Sequence, residues 1–95
     1  MKISITAAIA AATEKTSIVK VSRGSYQIHT FDDRLGVYRV GATTDYAKAR
    51  ISLTEIRHAL ALKALGWDNM DAIDEACGHE VGSLRDRVKR SVARA

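Results

Sequence analysis

The chain has no proline and one cysteine, and its aromatic side chains amount to three tyrosines, one phenylalanine and one tryptophan. Without proline a long linker is unexpected, so residues 1–95 read as a single domain. Cys77 has no partner for an internal disulfide, which fits a reducing compartment. The shortage of aromatics leaves few of the anchors that dominate interfaces: Tyr26, Tyr38, Tyr46 and Trp67. Of these, Trp67 stands between a helix end and Asp68 and reads as core. Residues 3–12 look superficially like the apolar stretch of a secretion signal. Only Lys2 precedes them, Ser4 and Thr6 interrupt them, and they are too short to span a bilayer. They read as a helix, with a cleaved signal as the alternative.

Of the residues present, 46% are apolar and 27% charged, an ordinary globular mixture that argues against global disorder. A domain of this size buries a modest share of its surface, so a partner or a homodimer is an open expectation. The net charge of +4 favours acidic partners without specifying nucleic acid. Abundant alanine favours helix.

Ser4 is placed to cap a helix running to about Lys15, with Ile5, Ala8, Ile9 and Ala12 on one face. A short strand over residues 2–6 competes with it. Residues 17–22 are β-branched and apolar, Arg23-Gly24-Ser25 signals a turn, and residues 26–31 alternate. Asp32-Asp33-Arg34 forms the next turn, residues 35–40 continue the meander, and 41–45 turn again. Residues 46–51 alternate Ala47, Ala49 and Ile51 against Lys48 and Arg50, which predicts a fourth short strand, a helix starting at Asp45 being the alternative. Ser52-Leu53-Thr54-Glu55 has the form of a capping box, and Gly66 is placed to end the helix that follows. Asp68 opens a helix to Cys77, closed by Gly78. Ser83, with Asp86 three residues on, caps a last helix whose Leu84, Val88 and Val92 face inward, opposite an Arg87, Arg90 and Arg94 stripe. The fold class expected is α+β: an N-terminal helix, an antiparallel meander of three to four strands, and three C-terminal helices packed on one face.

No residue set spells out an enzyme. His29, His58 and His79 fall on different elements, and Cys77-Gly78-His79 lacks the second ligand pair that zinc requires. The simpler reading is a buried cysteine beside a loop histidine. Nucleophile elbow, P-loop and dinucleotide fingerprints are missing, and Asp32-Asp33 are more simply turn residues than catalytic carboxylates. No catalytic residue, metal or cofactor is therefore expected.

Charge is sorted along the last third. Residues 68–84 carry only acids, Asp68, Asp71, Asp74, Glu75 and Glu80. Residues 85–95 carry Arg85, Arg87, Lys89, Arg90 and Arg94 against Asp86 alone. These five cations are the candidate partner- or nucleic-acid-binding residues. The stretch 73–78 followed by Leu84 and Val88 resembles the core of a helix-turn-helix, with Gly78 at the turn. Asp74 stands where that motif has a small residue, and His79 where it has an apolar one. The resemblance implies a DNA-binding regulator reading through the last helix. The same cations also suit a solvated helix end or pairing with the chain's own acids.

A second resemblance lies in the meander. Thr30-Phe31-Asp32-Asp33, Gly41, Thr43-Thr44 and Tyr46-Ala47 resemble the central hairpin of small phage anti-CRISPR proteins of the type I-F class, with Ala42 inserted, and an alanine-rich helix precedes the sheet in both. It covers about one-fifth of the chain. The resemblance implies a compact, non-enzymatic α/β inhibitor in the cytoplasm of a bacterial host, occupying the surface of a protein or ribonucleoprotein complex. The relative is acidic and mimics DNA, whereas this chain is basic. Its mode of contact would instead be Arg87, Arg90 and Arg94 against an acidic protein face or guide RNA.

Overall fold

A computed structural model describes residues 3–32, 36–43, 46–77 and 82–95, with side chains described outside 31–45. The fold is α+β, in the order α1 (Ile5–Glu14), β1 (Thr16–Ser22), β2 (Ser25–Asp32), β3 (Gly36–Thr43), α2 (Tyr46–Ala64), α3 (Asn69–Cys77) and α4 (Leu84–Arg94). Ser4 caps α1, its Oγ accepting from the Ala7 amide at 3.1 Å. The strands form one antiparallel sheet in the order β1-β2-β3. Arg23-Gly24 makes the first hairpin turn, where Gly24 takes a φ of +74°. Register slips once in each pairing, between Lys20 and Ser22 and between Ile28 and His29. The Asp33-Arg34 part of the second expected turn, together with Leu35, Thr44 and Asp45, lies outside the described residues.

Residues 46–51 are the opening of α2, not a fourth strand. The alternation there rests on two alanines, and alanine is a strong helix former with little to pack in a sheet. Ala49 and Leu53, four residues apart, are the buried pair instead. Ser52 and Glu55 consequently lie inside a 19-residue helix and cap nothing. The other end is as expected. The Gly66 amide bonds to Lys63 O and the Trp67 amide to Leu62 O, both at 3.0 Å, with Gly66 at φ +102°. This Schellman closure needs a left-handed residue, and it brings Trp67 back over Leu62.

The expected stack of three C-terminal helices on the sheet is corrected. Of the three, α2 lies on the sheet; α3 and α4 pack on α2, and α4 also on α1. The core explains this layering. Ala8, Ala12, Ala61, Leu62, Ala72 and Val88 bring residues of all four helices together. Four of these six are alanines, so the helix axes approach closely. At the junction of helices and sheet, Thr16 Oγ donates to Ala12 O at 2.9 Å and accepts from Arg57 Nε at 2.7 Å, tying α2 to the start of β1. Partial burial, and after it the charge of Arg50, lowers the Arg57 pKa from its ordinary value.

Candidate binding surfaces

The expected arginine stripe divides. On α4 the buried positions are Arg87, Val88 and Ser91, with Leu84 partly buried beside them. They follow helical spacing of i, i+3, i+4 and i+7. Repeated steps of four from Leu84 drift around the helix, so Val92 is 39% exposed rather than inward. Arg87, expected to face a partner, is only 4% exposed. Its burial has a physical cause in α3. The Arg87 guanidinium donates at 2.7 Å to Ala76 O, in the last turn of that helix, where carbonyls lack helical partners and the dipole is negative. Its Nε donates at 3.2 Å to Nδ1 of His58, a fully buried residue of α2.

Arg94 is not loose either: it forms an ion pair with Glu75 of α3. Ser91, also fully buried, lies between the two ends. Its Oγ is 2.8 Å from His58 Nε2, 2.8 Å from Glu75 Oε2 and 3.1 Å from Arg87 O. A chain of polar groups thus links α2, α3 and α4: Ala76 O, Arg87, His58, Ser91, Glu75, Arg94. Each buried polar group is satisfied by the next, which is the condition for burying them at all. Arg85, Lys89 and Arg90 remain exposed. The Arg90 guanidinium reaches back over Gly82, whose missing Cβ would stand 3.0 Å from it.

Ser91 and His58 are at the distance of a nucleophile and its base, yet the protons run the wrong way for that chemistry. A guanidinium N–H can only donate, so Nδ1 of His58 accepts from Arg87 and the ring proton sits on Nε2. Nε2 then donates to Ser91 Oγ instead of taking its proton. Both side chains are also sealed from substrate. The pair is an element of packing.

Of the positions that carry the helix-turn-helix resemblance, Val88 is buried and Leu84 partly buried. Ala72 and Ala76 are the small residues of α3 that pack inward, and Asp74 is exposed. Ser83 does cap α4, its Oγ accepting from the Asp86 amide at 3.2 Å. Cys77, expected buried, is exposed at the end of α3. Gly78, His79 and Glu80 lie outside the described residues. His29 is on β2, with its ring 3.2 Å from Gln27 Oε1.

A second basic surface is one that the sequence reading misses. Tyr26 of β2 and Tyr46 of α2 pair with ring centroids 5.2 Å apart, tilted by 55°. Lys20 is opposite Tyr26 in the β1-β2 ladder. Arg50 follows Tyr46 by one helical turn and is close enough to act electrostatically on Arg57. Tyr46 is 48% exposed, and Lys20 and Arg50 are exposed. The aromatic pair is hidden in the sequence because it joins two elements; the four-residue spacing of Tyr46 and Arg50 is the available signal. Aromatic rings beside arginine are the composition that interface cores favour. The anti-CRISPR-like positions Phe31, Asp32, Gly41 and Thr43 fall on β2 and β3, with side chains outside the described set, as are Asp33 and Thr44.

No family model, no curated protein and no solved structure matches this chain. Among the described residues no helix is long and apolar enough to cross a membrane.

Proposed function

We propose that this chain is a small non-enzymatic binding protein of phage or mobile-element type, which inhibits a complex of its bacterial host by occupying an acidic protein or ribonucleoprotein surface. The observation that carries this reading is the Tyr26–Tyr46 pair beside Lys20 and Arg50. Cations next to an exposed ring, Tyr46, and a half-buried one, Tyr26, combine long-range attraction for an acidic face with apolar area that makes contact once it arrives. The net charge of +4 and the resemblance of residues 30–47 to type I-F anti-CRISPR proteins point the same way. The test is plating of a phage that a type I-F CRISPR system restricts. Expression of the chain restores plaques and the purified protein co-elutes with the surveillance complex, while K20E/R50E loses both. Unrestored plating together with no co-elution refutes the inhibitor reading.

A DNA-binding regulator is the second reading, favoured by one observation: the Ser83-capped α4 exposes Arg85 and Lys89 four residues apart. It predicts a gel shift that weakens steeply with salt and is lost in R85E/K89E.

A further inference from the structure

On the opposite end of α2 from the tyrosine pair, Trp67 stands at the joint of two depressions. One is a groove of about 540 Å³ whose apolar walls include Ile3, Ile5, Leu65, Trp67 and Val92. The other is a more open shelf of about 560 Å³, running from Trp67 past Asp71, Asp74 and Glu75. Ile3 and Val92, on the groove, are 38% and 39% exposed, so aliphatic surface faces solvent there. Along the shelf the charge is of one sign in Asp71 and Asp74, both exposed on α3. Glu75 is already engaged by Arg94 and Ser91.

We propose that this composite groove takes a basic, amphipathic peptide segment of a partner protein, with an aliphatic side chain against Leu65, Trp67 and Val92 and an adjacent lysine or arginine at Asp71 and Asp74. Charge complementarity selects this occupant. A fatty acid or a phosphorylated ligand would satisfy the apolar end and meet two carboxylates at the other. An apolar segment without a cation would leave the acidic shelf unanswered. The groove lies apart from the Tyr26–Tyr46 surface, so the two recognise chemically opposite partners.

Trp67 is the single tryptophan of the chain and reports on the groove directly. The experiment titrates the full chain with a blocked hexapeptide of alternating leucine and lysine, following Trp67 emission. The same peptide with glutamate for lysine is the control. The expected result is a saturable blue shift with the lysine peptide only, weakened about tenfold or more in D71K/D74K. V92D, altered at an exposed position, abolishes the shift by placing a carboxylate at the apolar end. The proposal is overturned by no shift, or by equal binding of the glutamate peptide. It is also overturned if emission changes on concentrating the protein alone, which would mean that a second copy fills the groove.

Discussion

Arg87 and His58 meet inside the helical layer, guanidinium Nε donating to imidazole Nδ1 at 3.2 Å, at a point where neither side chain is more than 4% exposed. A cation beside a histidine is tolerated there because the histidine is neutral and offers a lone pair. The contact lasts only while both partners keep those roles.

Removing the acceptor strands the donor. His58→Leu leaves Arg87 Nε unpaired in a dry site and takes a partner from Ser91, a loss of about 3 kcal/mol. Urea denaturation measures it. A change within about 0.5 kcal/mol would show that the polar chain contributes nothing net.

The proton on His58 is on Nε2. Long-range proton–nitrogen correlation spectra of the folded protein are expected to show a neutral imidazole protonated at Nε2. A ring protonated at Nδ1 contradicts donation from Arg87 to that nitrogen.

Arginines of one helix should separate into two classes. Arg87→Ala removes the donor to Ala76 O and His58 and costs about 2–3 kcal/mol, whereas Arg90→Ala, at an exposed position, stays within about 0.5 kcal/mol. Thermal unfolding distinguishes them, and equal costs would sink the distinction.

Gly66→Ala tests the closure of α2. A φ of +102° is strained for any residue with a Cβ, although nothing lies within 4 Å to clash with one. The expected cost is about 1 kcal/mol or more, together with a changed Trp67 emission spectrum, because Trp67 follows the turn. An unaltered spectrum and stability would mean that the turn does not position the indole.

Local chemistry is legible in the sequence. Ser4, Ser83 and Gly66 act at the helix ends where their types place them, since a cap is decided within four residues. Asp68 likewise accepts from the Met70 amide at 3.1 Å to start α3. Residues 46–51 mislead because their alternation rests on alanines, whose helix propensity outweighs the strand pattern, and the burial of Ala49 with Leu53 that goes with the helix is visible only in the fold. Arg87 misleads for a related reason. Its charge argues for solvent, but its helical neighbours Leu84, Val88 and Ser91 put it on the buried face, where α2 and α3 supply acceptors. The candidate site is the least legible part, because both the arginines withdrawn from the surface and the Tyr26–Tyr46 pair depend on contacts between distant segments.

The alanines at the centre of the molecule constrain how this protein can drift. Ala8, Ala12, Ala61 and Ala72 have almost nothing left to lose in volume, so mutation there runs toward larger side chains. Each enlargement wedges helices apart, and a separation of about one ångström stretches hydrogen bonds such as that between His58 and Arg87 beyond useful length. Descendants that enlarge the centre are therefore expected to abandon the buried imidazole and guanidinium together and fill their place with aliphatic groups.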